Sequence, residues 1–541
     1  MTELPSAYGD TFCRDLLPPV TQQPILTSIE GVGHLNAAVE LLDRTIAVHG
    51  ADRPAVRSKD LCWTYGDLQK RVLALSAILV ESWGLRAGNR VVLHGVNSPI
   101  LLAAWLAVLR VGGVVVATPP LLKARELAPI LDKARPTYVL CDASSKQEFE
   151  LAGVTEDRIH ALDTAVSEIL EENVESGQIA APPVCPTLAD DVAIIAFTSG
   201  TTGVPKGAMH FHRDLLTIAD RYAAQVVRLD KNDIVVGSPP IAFTFGLGAL
   251  FIFPLRVGAC TVLEAPCPPT ALLDRVAEHR ATVLFTAPTA YRTFLKSGQS
   301  EKLSTVRICV SAGEPLDARL WHSFESATGI RILDGLGSTE MLHIFVSNTP
   351  EDLTPGCLGH AVDGYVLETH DDAGKPTPRG VAGRLAVRGP IGCRYLDDAR
   401  QTDTVRNGWN YTGDLARIDK VGRIWFVSRS DEMIVSAGHN ISAAEVENVL
   451  LEESEVAECA VVGLSDAARG QIVTAYIVVG PGITPSQELV GQLKKSVKDK
   501  IAPYKYPRRI VFVESLPKTP TGKLRRRDLG ALEHTSGQLC E

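Results

Sequence analysis

TSGTTGVPKG, residues 198–207, decides how the whole chain is read. It follows DVAIIAF (191–197), an apolar run of the kind that forms a strand buried on both faces. Gly200, Gly203 and Gly207 let the backbone turn tightly and expose amide N–H groups, making a concavity suited to oxyanions. Thr198, Ser199, Thr201 and Thr202 add hydroxyl donors, and Lys206 adds a cation on a flexible stem. Phosphate is the natural occupant. The stretch is not the common Gly-x4-Gly-Lys-Ser/Thr phosphate loop, since Gly203 is followed by Val-Pro-Lys and then Gly207.

Strand-then-turn units of this type recur through the first 400 or so residues. NRVVLHGV (89–96), TYVLCDAS (137–144) and DIVVGSPP (233–240) alternate with helical patterns, which predicts α/β layering around mostly parallel sheets. PILLAAWLAVLRVGGVVVATPPLL (99–122) is broken by arginine, paired glycines and prolines, so it reads as a buried helix and strand, not a membrane span. Around 381 the texture changes to close strands with glycine turns, a small antiparallel, barrel-like part. After Asp431 a compact α+β unit follows. The expected organisation is a large ligand-binding domain, 1–430, hinged to a small C-terminal domain, 431–541.

The chain has 541 residues, too many for one hydrophobic core. Lys and Arg number 54 against 63 acidic residues, a formal charge of −9 that leaves no footprint for nucleic acid. Its 11 cysteines form no CxxC pair, which fits a reducing compartment. The start, MTELPSAYGDTFCRDLLPP, lacks a charged-then-apolar leader, so a cytoplasmic location is expected.

Three further groups carry chemistry. In ILDGLGSTEM (332–341) a strand is expected to end at Leu333, after which Glu340 is either a helix-start acidic residue or, beside a phosphate site, a hard-oxygen ligand for Mg2+. In NGWNYTGDLARID (407–419) Asp414 is either a turn cap or an acceptor for ribose hydroxyls, with Arg429 a fork of donors beyond the next strand. LPKTPTGKLRRRDL (516–529) is a stiffened turn whose Lys523 reads either as surface or as a tethered cation for a reacting phosphate.

These groups, in this order, resemble the acyl-adenylate-forming superfamily of acyl-CoA synthetases, peptide-synthetase adenylation domains and beetle luciferases. The resemblance rests on TSGTTGVPKG, SAGEP (311–315), DGLGSTE (334–340), YTGD (411–414), SRSDEMIVSAGHNISAAEVE (428–447) and PKTPTGKLRR (517–526), with TYGDL (64–68) extending it toward the N-terminus. It implies a two-step reaction in which a carboxylate displaces pyrophosphate from ATP-Mg2+ and a thiol then displaces AMP. It also implies roles by position. Residues 198–207 hold the β- and γ-phosphates. Gly313, Glu314 and Pro315 line the adenine pocket, Leu336 stands where adenine would stack, and Asp334 and Gly335 belong to the ATP site. Thr339 meets the α-phosphate and Glu340 the metal. Asp414 and Arg429 take the ribose, and Lys523 serves adenylation. Asp431 is the implied hinge, and Ala437, Gly438 and His439 the implied coenzyme A channel. Two departures stand out. Leu336 replaces the usual aromatic residue, and Ser428 replaces a glycine, with strain expected if that position is left-handed.

PPIAFTFGLG (239–248) and GSTEMLHIF (337–345) look most like the benzoate-CoA ligase branch. That match places Phe243, Thr244, Phe245, Gly337, His343 and Ile344 around the acyl ring, with Gly337 expected to leave a flat slot. His343 reads alternatively as a satisfied core histidine. A hydroxyl at Thr244 favours an ortho-substituted ring, so 2-aminobenzoate is the expected acid, ahead of benzoate and 2-hydroxybenzoate. Loading of a carrier protein's phosphopantetheine is the alternative within the chemistry, and a non-catalytic nucleotide-binding protein the alternative outside it. Either a monomer or a homodimer is compatible with the sequence.

Overall fold

The computed structural model describes residues 6–28, 33–59, 61–177, 181–198, 205–429, 433–436, 439–466, 470–501, 503–518, 524–530 and 539–540. Among these residues the chain forms four β-sheets. The first runs Ile159–Ala161, Tyr138–Cys141, Arg90–His94, Val114–Thr118, Val192–Thr198, Lys206–Phe211, with every pairing parallel except the last. The second has nine strands; its parallel centre includes Ile234–Gly237, Val283–Thr286, Ile308–Ser311 and Ile332–Gly337.

A helix between the sheets shows how the sequence builds this layering. Pro99–Arg110 starts at Ser98, whose side chain accepts from the Leu101 N–H, with Pro99 at the first helical position where its missing N–H costs nothing. Leu101 through Leu109 are all buried, which explains an apolar run without a polar face. Each fully buried leucine there contributes about 1.5–3 kcal/mol relative to exposure. Arg110 ends the helix in an ion pair with Asp43 at 2.7 Å. Among the described residues no helix is long and apolar enough to cross a membrane.

The third sheet is antiparallel and contains Val366–His370, Ala382–Arg388, Trp409–Ile418 and Ile424–Arg429. The next strand, Met433–Ser436, belongs to the fourth sheet, which with the helices Ala443–Leu451 and Gln487–Lys500 makes the small α+β unit. Arg319 bridges the two parts by donating to the carbonyls of Leu451 and Glu452 at 2.9 and 3.0 Å. Its charge thus sits at the negative end of the helix Ala443–Leu451.

Two local expectations are corrected. The strand expected to stop at Leu333 continues to Gly337, because residues 335–337 pair antiparallel with Ile344–Ser347. Ser428 carries no left-handed strain: it lies within the strand Ile424–Arg429 and is not among the positive-φ residues.

Candidate active site

In an open α/β sheet, ligands bind beyond the carboxyl ends of the strands. The segments 238–248, 312–316 and 338–343 all leave that edge of the second sheet, following Gly237, Ser311 and Gly337. Thr198 ends the corresponding strand of the first sheet and pairs with Lys206 across the hairpin, so the loop between them is anchored at both ends. Ser199, Gly200, Thr201, Thr202 and Gly203 lie outside the described residues, as do Asp431, Ala437, Gly438 and Lys523. The backbone flanking Lys523 is tied down: Lys518 and Leu524 form a β-bridge, and the Arg525 N–H donates to the Pro517 carbonyl at 2.8 Å.

Glu340 is where the sheets meet. It sits half-buried in a short 3-10 turn, Thr339–Met341, capped by the Ser338 side chain on the Met341 N–H. The Tyr395 hydroxyl donates to Glu340 Oε1 at 2.5 Å, and Lys206 Nζ lies 4.7 Å from the centre of the Tyr395 ring. Burial, then the Glu340 charge, push the Tyr395 phenol well above its usual range and keep it a donor. His210 Nε2 contacts the Thr339 carbonyl at 2.8 Å, and since a carbonyl only accepts, Nε2 carries the proton.

From the third sheet, Asp414 lies opposite Arg429, which donates to Asp414 Oδ1 at 2.8 Å and to the Thr412 carbonyl at 2.9 Å. Asp414 is 5% exposed, and burial raises its carboxyl despite the opposing pull of Arg429. Gly413 has φ +81°, and a Cβ there would stand 2.8 Å from Arg429 Nη2, so only glycine lets the guanidinium close over this turn. Among the residues expected to line the adenine, Gly313 has φ +90°. Glu314 accepts from the Thr289 hydroxyl at 2.8 Å. Pro315 is exposed and Leu336 half-buried. Asp334 is buried, with Oδ1 unpartnered among the described residues.

Of the residues expected around the acyl ring, Phe245 and His343 are brought into contact. His343 is 2% exposed and packed among Tyr222, Phe245 and Phe253, with ring centroids at 5.2, 5.8 and 4.6 Å. Neither ring nitrogen has a hydrogen-bond partner among the described residues, and the Phe245 backbone lies near without reaching hydrogen-bonding geometry. Burial pushes the imidazole down to about 3, so it is neutral near pH 7. A satisfied core histidine would not look like this. Thr244 opens the short helix Thr244–Leu247 half-buried, and Phe243 and Phe245 flank it, also half-buried. Gly337 has another reason than the flat slot: a Cβ there would meet the His343 carbonyl oxygen at 2.8 Å, so the hairpin needs the glycine. Ile344 is 3% exposed and packs against Gly335.

Among the described residues no group of three or more His, Cys, Asp or Glu gathers to hold a metal alone. A single carboxylate suits a cation that draws most of its oxygens from a nucleotide's phosphates and from water, as Mg2+ does.

Residues 42–394 match the AMP-binding enzyme family, and residues 445–523 match the AMP-binding enzyme C-terminal domain. The chain belongs to the AMP-binding enzyme family. It is similar to the benzoate–CoA ligase of Thauera aromatica, 34% identical over 514 residues, which are 91% of this chain and 95% of that one. An anthranilate CoA ligase solved with anthranoyl-AMP is 31% identical, with a TM-score of 0.86, and the match covers 92% of this chain and 97% of that one. A benzoate CoA ligase from Burkholderia xenovorans LB400 is 32% identical with a TM-score of 0.82, covering 92% and 99%. The chain is accordingly an enzyme of the acyl-adenylate-forming, acid–thiol ligase class.

Two residues of this AMP-binding enzyme site, Tyr395 and His210, are absent from the sequence-derived set. For His210 a signal existed: residues two apart on a strand share a face, so Lys206, Ala208 and His210 line one side. For Tyr395 the sequence offered none, because RYLDDARQT shows no pattern tying it to a glutamate 55 positions away.

Proposed function

We propose that this AMP-binding enzyme is an ATP-dependent aryl-CoA ligase whose preferred acid is 2-aminobenzoate, with benzoate and 2-hydroxybenzoate as weaker substrates. The observation that carries the reading is the pairing of two environments, one polar and one aromatic. Glu340, Lys206 and the Asp414–Arg429 pair make a polar side for ATP, while Phe245, His343 and Phe253 make an aromatic wall for the acid. The Thr244 hydroxyl, which makes no hydrogen bond to another described residue, is available to an ortho substituent. Similarity to the anthranilate and benzoate ligases points the same way.

The chemistry follows from charge. A carboxylate has a poor leaving oxygen, so the aryl carboxylate first attacks the α-phosphorus of ATP; the bond to the β-phosphate breaks and pyrophosphate leaves. Lys206 and the amide-rich loop 199–205 balance charge on the departing phosphates. Asp414 accepts from the ribose hydroxyls. Glu340 would hold magnesium, which when bound would neutralise charge on the phosphate oxygens. The ammonium of Lys523 closes the first step. In the second step the coenzyme A thiol attacks the acyl carbon and AMP departs. Lys523 and the thiol need the same space, so residues 431–541 turn about Asp431 between steps, and Ala437, Gly438 and His439 then line the pantetheine route.

The test is formation of AMP and acyl-CoA by purified enzyme over a panel of aryl and aliphatic acids with free coenzyme A. Highest kcat/KM is expected for 2-aminobenzoate. Fast hexanoate turnover with no aryl turnover would overturn the reading.

A further inference from the structure

The turn that carries the magnesium ligand is held from two sides by residues that themselves touch neither the acid nor the thiol in this reading. On the side-chain side, Tyr395 is 1% exposed and fixed by its own backbone, its N–H donating to Gln401 Oε1 at 2.9 Å. Gln401 in turn donates to the Cys393 carbonyl at 3.1 Å. The neighbouring Leu396 N–H donates to the Gly207 carbonyl at 2.8 Å, which locks this segment to the strand bearing Lys206. The Tyr395 hydroxyl therefore reaches Glu340 Oε1 from a rigid base and leaves Oε2 without a partner among the described residues.

On the backbone side, His210 is fully buried and grips the Thr339 carbonyl. Its other nitrogen faces Asp214 Oδ2 at 3.8 Å, and Asp214 is itself fully buried, bound by Arg213 at 3.0 Å and by the Phe211 N–H at 3.0 Å. Strand, turn and the 393–396 segment thus form one connected brace around two successive residues, Thr339 and Glu340.

We propose that Tyr395 and His210 are positioning residues that preset the Thr339–Glu340 turn, so that Glu340 presents one fixed oxygen to the magnesium of bound ATP. This rests on the reading of Glu340 as the magnesium ligand. A half-buried glutamate on a 3-10 turn would otherwise sample several rotamers, and fixing it beforehand removes that ordering cost from binding. Tyr395 does this without competing for both oxygens, and its ring simultaneously backs the Lys206 ammonium.

The experiment is calorimetric titration of the enzyme with ATP in magnesium and in excess chelator, for wild type, Tyr395→Phe, Glu340→Gln and the double variant. Tyr395→Phe keeps the ring, and with it the packing and the contact with Lys206. The magnesium-dependent gain in ATP affinity is expected to fall about three- to tenfold in Tyr395→Phe. In the Glu340→Gln background the same change should add little, because the group being positioned is gone. His210→Gln, which keeps a donor for the Thr339 carbonyl, should retain more of the magnesium-dependent gain than His210→Ala. An equal loss from Tyr395→Phe in both backgrounds, or equal ATP binding with and without magnesium in that variant and in wild type, would overturn the proposal. A Glu340→Gln enzyme with undiminished magnesium dependence would instead remove the reading of Glu340 as ligand.

Discussion

Gly248→Ala isolates the acyl wall. Gly248 has helical φ and ψ of −64° and −58°, so alanine fits its backbone, and helix propensity alone favours alanine by about 1 kcal/mol. Sterics oppose this. A Cβ would stand 2.4 Å from His343 Cδ2, 2.7 Å from His343 Nε2 and 2.8 Å from Phe253 Cζ. Phe253 is fully buried and His343 is 2% exposed, so neither ring can swing into solvent. Overpacking of this kind costs about 1–3 kcal/mol, and three contacts this short put it at the upper end. The net expected loss is about 2 kcal/mol. One or both rings must shift, which disturbs the aromatic cluster of His343, Phe245 and Phe253 that the proposed function places against the acid. The expected result is a lower urea midpoint together with a rise of about tenfold in KM for 2-aminobenzoate, while KM for ATP stays near wild type. Steady-state kinetics on both substrates and equilibrium unfolding check it. An unchanged midpoint and an unchanged acid KM would refute the reasoning.

Lys523→Ala is expected to slow adenylation by about 100-fold or more while leaving thiolation of supplied aryl-AMP nearly intact; single-turnover assays of each half-reaction decide, and equal losses would contradict separate conformations. Thr244→Ala should lower the preference for 2-aminobenzoate over benzoate by about three- to tenfold, read from kcat/KM ratios, and an unaltered ratio would remove Thr244 from recognition. Burial pushes His94 down to about 4 and His212 and His343 down to about 3. The unfolded chain, with histidines near 6.5, binds more protons below that pH, so the stability these residues allow is complete above about pH 6.5 and drains as pH falls toward 3–4. Each contributes at most about 1.4 kcal/mol per pH unit, so urea midpoints should already drop between pH 6.5 and 5; a flat profile there would contradict the buried neutral state.

The layering was legible because the strands that carry it are short, continuous and apolar, as in Val192–Thr198, and because Ser98-Pro99 marks a helix start unmistakably. Lys206, Glu340, Asp414 and Lys523 stood out because each lies close to a glycine within a few polar or hydroxyl-bearing neighbours. The extension of the 332–337 strand was not legible, since Gly335 and Gly337 read as turn formers and only pairing with Ile344–Ser347 overrides that local preference. Tyr395 was hidden because its partner lies 55 positions away and no local pattern encodes that contact, whereas His210 could have been drawn from its strand face even though the Thr339 carbonyl it meets lies 129 positions away.

Isotope exchange between pyrophosphate and ATP, driven by 2-aminobenzoate with coenzyme A left out, reads the first step alone. The account predicts rapid exchange that requires both the aryl acid and magnesium and collapses in Glu340→Gln. Exchange that ignores the acid, or none with any aromatic carboxylate, would contradict it.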